Sequence, residues 1–406
     1  MAGRTGRNDE TEGRLAPRSD QFSSSSGAAE EADVAVIGGG PAGATFARLA
    51  GQSRRVVLLD ARPPEGGIAE RAFIEAGAVL PVRGKCCGGL LAPDAQAELA
   101  AQGLTLPLDV LVDPQIFAVQ VLDLQRPALR RLYPRSYVNM DRDRFDRWLL
   151  SLVPEGVVRM GARVRSAERS ADGRFLLRYS AGGRERALLA RILVGADGGN
   201  SLVRRTFFPG RPIRQYAAVQ EWYAAGDAPP LYGALFDRTL TDCTGWMIAK
   251  NGALVLGAAL PFDGATARFA SLKTRLAEQG FAFGPRLRRE GCVVSRPAGL
   301  RELCLGENGV FLAGEAAGFL SPSSLEGISW ALKSGAALAR SLTDDPALTA
   351  GQYAALTAGL RRKLAGKLAK CPFMYAPFLR EAILRSGIAS LGYAPSPAAR
   401  TVFSKY

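Results

Sequence analysis

The 406-residue chain contains no histidine. That excludes a Ser-His-Asp triad, a His-ligated metal and a His general base together. No apolar run approaches the ~18–20 residues a membrane span needs, and the best stretch, Gly252 to Phe262, is short and interrupted. Residues 1–32 lack the apolar segment of a secretory signal. Six cysteines, Cys86, Cys87, Cys243, Cys292, Cys304 and Cys371, include no CxxC pair and no metal-ligand spacing. No metal site is therefore expected, and the thiols read as reduced, in a cytoplasmic protein. There is no internal repeat and no second GxGxxG, so a separate nicotinamide domain is not expected.

What remains is an ordinary globular composition, 47% hydrophobic and 22% charged. The length suits about two to three domains of roughly 100–200 residues each. The formal net charge is +14. Residues 1–32 carry four arginines against six acids, and Tyr353 to Tyr406 carries nine Lys/Arg against one Glu. Such a balance suits anionic cofactors, nucleic acid, an anionic membrane surface, or simply a solvated face. The basic residues are scattered and form no recognition module, which argues against nucleic acid.

Residues 1–32, rich in Gly, Ser, Arg and acids, read as a disordered arm. Order is expected from Asp33. A β-branched strand (Val34, Val36, Ile37) leads into Gly38-Gly39-Gly40-Pro41-Ala42-Gly43. A helix then runs to Ala50, and a second strand, Val56 to Leu59, closes at Asp60. This is β-α-β, the start of a doubly wound sheet. Residues 106–138 alternate as antiparallel strands do. A helix is expected over 142–152, with Phe145, Trp148, Leu149 and Leu152 on one face. Strands follow over Val157–Arg165, Phe175–Tyr179 and Ala187–Val194, then Gly245–Ile248 and Ala253–Ala259. Helices are expected over 266–279, 327–342 and 350–388, with a short strand at 310–313.

The glycines have distinct physical tasks. Gly38 permits the tight turn, Gly40 lets backbone approach a pyrophosphate, and Gly43 lets helix and strand pack closely. Pro41 suits the first helical turn. The helix N-terminus offers free N–H groups and positive dipole to phosphate. Asp60, 22 residues past Gly38, is placed to accept from ribose hydroxyls, which argues for FAD or NAD(H) over NADP(H).

Two further motifs follow strands: Gly195-Ala196-Asp197-Gly198-Gly199-Asn200-Ser201, and Gly314-Glu315-Ala316-Ala317-Gly318-Phe319 with Pro322 and Gly327 beyond it. In this order the three motifs resemble the single-Rossmann FAD enzymes typified by aromatic hydroxylases and geranylgeranyl reductases. Lys85-Cys86-Cys87-Gly88-Gly89-Leu90-Leu91-Ala92-Pro93-Asp94, Arg142 with Phe145 to Leu149, Thr241-Asp242 with Gly245 to Lys250, and Ser321 to Ile328 resemble the CbrA-like branch of the geranylgeranyl reductase family. The likeness runs from about 33 to 390 and is more specific as to family than as to reaction.

The resemblance implies an α/β fold: a discontinuous Rossmann-type FAD-binding domain (33–104, 139–210 and 293–348), an inserted antiparallel β-sheet substrate domain (105–138 and 211–292), and a C-terminal helical cap (349–406). It implies FAD contacts from Gly38, Gly40, Pro41, Ala42, Gly43, Asp60, Ala61, Arg62, Lys85, Cys87, Gly88, Arg142, Ala196, Asp197, Gly198, Ser201, Gly314, Glu315, Ala317, Gly318, Pro322, Gly327 and Ile328. Glu315 would take the ribityl role usually held by Asp, one methylene shorter. Cys87, Trp246 and Lys250 are the candidate catalytic residues. Cys87 reads either as proton donor or anchor, or as a small buried residue beside Gly88. Trp246 reads as substrate wall or as sheet core. Related flavin halogenases carry two Trp and a Pro on this stretch; Thr244 and Ala249 occupy two of those places, which argues against halogenation.

Three functions follow from the resemblance. The first is an FAD-dependent reductase of a C=C bond in an apolar substrate, with electrons from transiently bound NAD(P)H or a partner protein. The second is a monooxygenase of an aromatic or polyketide-like molecule. The third is a non-catalytic flavin-bearing binding or resistance protein. The basic C-terminal helices either touch anionic lipid, at the inner face of the membrane, or pack on the body through Leu356, Leu360, Leu364 and Leu368.

Overall fold

The computed structural model describes residues 29–64, 72–75, 78–81, 86–224 and 232–392. Two large sheets organise them, and Ala72–Glu75 pairs with Ala78–Pro81 as a separate two-stranded one. The first is built on strand Glu30–Ile37, flanked in parallel by Val56–Asp60 and Arg184–Gly195. Val158–Met160 extends it in parallel beyond Val56–Asp60, and Val310–Leu312 beyond Arg184–Gly195. Side chains here are apolar on both faces, as a parallel sheet covered by helices requires. Val34, Ala35, Val36, Leu58, Leu59, Leu193 and Val194 are all buried. Helices Pro41–Ala50, Arg142–Ser151 and Ile328–Ser341 contribute Phe46, Phe145 and Trp330 to the same core.

The first strand begins at Glu30, so the expected arm boundary at 32 is corrected. Glu30, Glu31 and Ala32 pair with Leu188, Leu189 and Ala190. The acids escape burial there because the strand runs past the packed core; Arg159 and Arg174 pair with their carboxylates. Residues 1–28 lie outside the described residues. The strand expected over 157–165 is two strands, Val158–Met160 and Arg163–Arg169, divided at Gly161 with φ +69°. The second belongs to an antiparallel meander with Phe175–Ala181 and Arg184–Gly195, turned at Gly182-Gly183 with both φ positive.

The second sheet has the order Arg286–Ser295, Gln215–Ala224, Ala253–Leu260, Gly245–Lys250, Tyr232–Phe236, Ile116–Asp123, Arg130–Asn139, Leu391–Gly392. It is antiparallel except for Tyr232–Phe236, which pairs in parallel with Ile116–Asp123; the expectation of a wholly antiparallel sheet is corrected there. Leu90–Leu91 also joins this sheet, beside Val138 and Asn139. Alternation sorts the faces. Leu254, Leu256, Ala258 and Leu260 pack on Phe269, Leu272 and Leu276 of helix Ala265–Glu278. Val255 packs on the opposite face with Ile248, Trp222, Tyr232 and Trp246.

The C-terminal region forms three helices, Pro346–Leu356, Ala358–Tyr375 and Pro377–Ser386, where one stretch of 350–388 was expected. Pro377 starts the last of them, because an N1 proline needs no N–H partner. The chain then adds Leu391–Gly392 as an edge strand on Arg131 and Leu132. Leu360 and Leu364 are buried and Leu368 partly so, but Leu356 is exposed. Among the described residues no helix is long and apolar enough to cross a membrane.

Candidate functional site

The three glycine motifs meet at the carboxyl ends of the parallel strands, where doubly wound sheets bind ligands. Gly38 has φ +100°, and a Cβ there would lie 2.5 Å from the Ala196 carbonyl oxygen. At Gly43 a Cβ would lie 1.9 Å from the Gly38 carbonyl oxygen. Gly314, with φ +59°, would meet the Cβ of Ala42 at 2.9 Å, and its N–H donates to Ser334 Oγ at 2.9 Å. Gly40 differs from all of these: a Cβ there would meet nothing within 4 Å. Gly40 is also the N-cap of Pro41–Ala50, and no side chain caps that end. An open, uncapped helix N-terminus walled by touching glycines is a cradle for phosphate.

Asp60 ends the second strand, but both its carboxylate oxygens are engaged by this chain. One accepts from Gly39 N–H at 2.6 Å and from Arg62 at 2.9 Å; the other accepts from the Arg62 backbone and Nε. The carboxylate that the sequence offers to ribose is thus held in place by Arg62 and Gly39. Burial would raise Asp60, yet the Arg62 hydrogen bonds and charge more than offset it and hold the carboxyl below its ordinary range. Arg62 reaches on to Asp146 at 3.2 Å, Asp146 pairs with Arg142 at 2.8 Å, and Arg142 donates to Cys87 Sγ at 3.5 Å. A continuous polar chain thus joins the nucleotide fingerprint to Cys87. Asp146, its buried hinge, was not singled out from sequence; its signal is the i,i+4 spacing to Arg142 on one helix.

Asp197 accepts from Ser201 Oγ and Leu202 N–H, both at 2.6 Å. Ser201 in turn caps Leu202–Phe207. These two therefore shape the second motif, and burial keeps the Asp197 carboxyl above its ordinary range against those hydrogen bonds. Ala196, whose N–H donates to Ile37, and Gly198, with φ +75°, complete the turn. Glu315 commits one oxygen to Ser295 N–H at 2.8 Å, where a Cβ on Gly199 would lie 2.6 Å from it. Its extra methylene carries the carboxylate to the seam between the two sheets. Ala317 and Gly318, the latter with φ +89°, close the 3-10 turn. Gly327 caps helix Ile328–Ser341 without a side-chain partner, leaving a second uncapped N-terminus at Ile328. Pro322 is fixed by Arg296, whose Nε donates to its carbonyl at 2.7 Å.

The candidate catalytic residues converge from the second sheet. Trp246 lies flat over Gly257, where a Cβ would sit 2.3 Å from the ring, and its Nε1 donates to Gln220 at 2.9 Å. Gly88 approaches from the other side; a Cβ there would be 2.6 Å from Ile248 and 3.9 Å from Trp246. Cys87 is half-buried and accepts from Gly89 N–H at 3.4 Å. Lys250 is buried and donates to the carbonyls of Met140 at 2.6 Å and Gly89 at 3.3 Å. That assigns it to fastening the 86–91 segment, a correction to its catalytic reading. Burial lowers it to about 8. Lys85 and Ala61 divide differently: Lys85 lies outside the described residues, and Ala61 is exposed beside Asp60. Arg142, Cys86 and Tyr232 are each half-buried. Tyr137 stands edge-on to Tyr232, ring centroids 5.5 Å apart.

This doubly wound sheet, glycine cradle and facing sheet define the fold shared by flavin-dependent reductases and hydroxylases. It matches a geranylgeranyl bacteriochlorophyll reductase-like protein of Thermoplasma acidophilum with a TM-score of 0.61, at 18% identity, over 93% of this chain and 90% of that one. It matches an aklavinone-11 hydroxylase in complex with FAD and aklavinone with a TM-score of 0.57, at 18% identity, over 90% of this chain and 72% of that one. No protein-family model matches the chain. It is 41% identical over 363 residues to protein CbrA of Escherichia coli, covering 89% of this chain and 95% of that protein. The chain belongs to the CbrA family.

Proposed function

We propose that the protein is an FAD-dependent oxidoreductase that reduces a C=C bond in an apolar substrate. The observation that supports this most is the open, uncapped helix start at Gly40, beside the close contacts that Gly38, Gly43 and Gly314 make with Ala196, Gly38 and Ala42. The fit is specific. Gly40, Ala42 and Gly43 offer uncapped helix ends to a pyrophosphate, Gly327 and Ile328 offer a second positive end, and Glu315 and Arg142 supply charge between them. When bound there, a flavin supplies two-electron redox chemistry, and the protein's share is orientation, access and electrostatics. Trp246, Ile248, Trp222 and Tyr232 give the facing wall its apolar and aromatic character. Cys87, on the segment whose Gly88 packs against Ile248 of this wall, is able to hold a proton, and Arg142 sets its charge environment. Electrons come from NAD(P)H bound transiently or from a partner protein.

A second reading has its own support. The Trp246 ring and the edge-on Tyr137–Tyr232 pair belong to one aromatic cluster, a surface chemistry that suits a planar aromatic substrate, as a monooxygenase would need. The two separate in one experiment on the flavin-loaded protein. Anaerobic saturation of an isoprenoid alkene under reducing conditions supports the reductase. Strictly oxygen-dependent NAD(P)H consumption stimulated by an aromatic compound overturns it in favour of the monooxygenase.

A further inference from the structure

We propose that Cys86 and Cys292 form a redox site that exchanges with low-molecular-weight disulfides and closes to an internal disulfide. The two residues are 206 positions apart, yet Cys292 Sγ lies 3.6 Å from the Cys86 carbonyl oxygen. Both are half-buried, and both pack with Trp246 and Leu325 around Tyr216, Ala218 and Cys243. Cys292 stands on strand Arg286–Ser295, opposite Ala218. Cys86 immediately precedes Cys87 and Gly88, the segment that covers Trp246. The hydrogen-bonded Cys292 thiol, burial and the Glu290 charge hold the Cys86 thiol well above its ordinary range. Either thiol can attack and the other resolve, because the two lie on facing segments of one packed cluster.

The chemistry balances without a further reagent. A protein thiolate attacks one sulfur of the small disulfide and displaces its other half as a thiol. The second protein thiol then displaces the half that remains. One small-molecule S–S bond and two protein S–H bonds become one protein S–S bond and two small-molecule S–H bonds. The protein gives up two electrons and two protons, and the small disulfide gains both. The bridge pins the Cys86–Gly89 segment to the substrate sheet. This goes beyond the oxidoreductase reading and needs no bound flavin.

The test uses the full reduced protein with oxidised glutathione, acid quenching, alkylation of remaining thiols and peptide mass spectrometry. The expected product is a cross-linked pair of the Cys86 and Cys292 peptides, free of glutathione, with Cys87 alkylated. Cys87→Ser should still form the bridge. Cys86→Ser should stop at a single glutathione adduct on Cys292. Cys86 and Cys292 remaining fully alkylatable at every glutathione ratio overturns the proposal, as does a bridge from Cys87 to either neighbour. The wild-type mapping decides the matter even where a variant fails to fold.

Discussion

At the scale of single residues, the glycines of the fingerprint make opposite demands that one set of substitutions separates. Gly40 faces open space and has an extended backbone, φ −67° and ψ −177°, that any residue adopts. Gly40→Ala should therefore fold normally. Gly40→Asp should also fold but place a carboxylate at the helix N-terminus where phosphate belongs, so the purified protein should lose its yellow colour. Stoichiometric FAD in that variant would remove the nucleotide-site reading. Gly43→Ala drives a methyl into a carbonyl oxygen and should lower the melting temperature outright, with or without cofactor. Lys250 makes a pH-dependent prediction. Its folded pKa, about 8, lies below the ordinary 10.5. Below that window both states are protonated, and above it neither is. Within it the unfolded chain binds more protons, so stability rises with pH, by at most about 1.4 kcal/mol per unit. Lys250→Met should remove that rise, measured as the wild-type minus variant difference in denaturant unfolding at pH 7.5 to 10.5. An unchanged slope would return Lys250 to the solvated, ordinary state.

Elements bring a different kind of interaction into play, because the C-terminal helices dock on the second sheet through a buried ion pair. Arg380 of Pro377–Ser386 donates to Asp123 at 2.8 Å and to the Met374 carbonyl at 2.8 Å, over the ring of Phe236. The side chains of Arg380 and Asp123 are 5% and 0% exposed. Removing one partner strands the other, so Arg380→Ala should cost about 3–5 kcal/mol of stability. Arg380→Met with Asp123→Leu should recover much of it, since a packed apolar pair carries no desolvation cost. A loss below about 1 kcal/mol for Arg380→Ala, the surface-pair range, would place the pair in water. This contact was not legible in sequence: Arg380 and Asp123 lie far apart, and each reads as a surface charge. Local patterns were legible. The strand before Gly38, the helix after it and Asp60 follow from periodicity and turn chemistry, and the helices over 142–151, 265–278 and 328–341 follow from their apolar spacing. Long-range pairings were not. The parallel contact between Tyr232–Phe236 and Ile116–Asp123, the edge strand at Leu391 and the division of the C-terminal helices depend on what packs where.

For the molecule as a whole, the site exists only where distant stretches of chain meet. Gly38, Ala196 and Gly314 belong to three segments separated by well over a hundred residues, and Glu315 ties the third to Ser295 at the edge of the second sheet. Sequence motifs named Gly38 as a turn residue and Gly43 as a close-packing one, and both are. They did not show that Asp60 is saturated by Arg62, nor that Asp146 links it through Arg142 to Cys87, because a side chain's partner is set by the tertiary fold. A ligand that touches all three segments binds the folded state and not the unfolded chain. Adding FAD to the deflavinated protein should therefore stabilise both sheets together, by about 2.7 kcal/mol at a hundredfold excess over Kd. Differential scanning fluorimetry should show one transition moving upward with the logarithm of FAD concentration. The shift should vanish in Gly40→Asp, whose own unliganded transition should match that of the deflavinated wild type. A ligand-dependent shift confined to one of two separate transitions would mean that the seam at Glu315 and Ser295 does not couple the sheets, and that the cradle and the Trp246 wall form without each other.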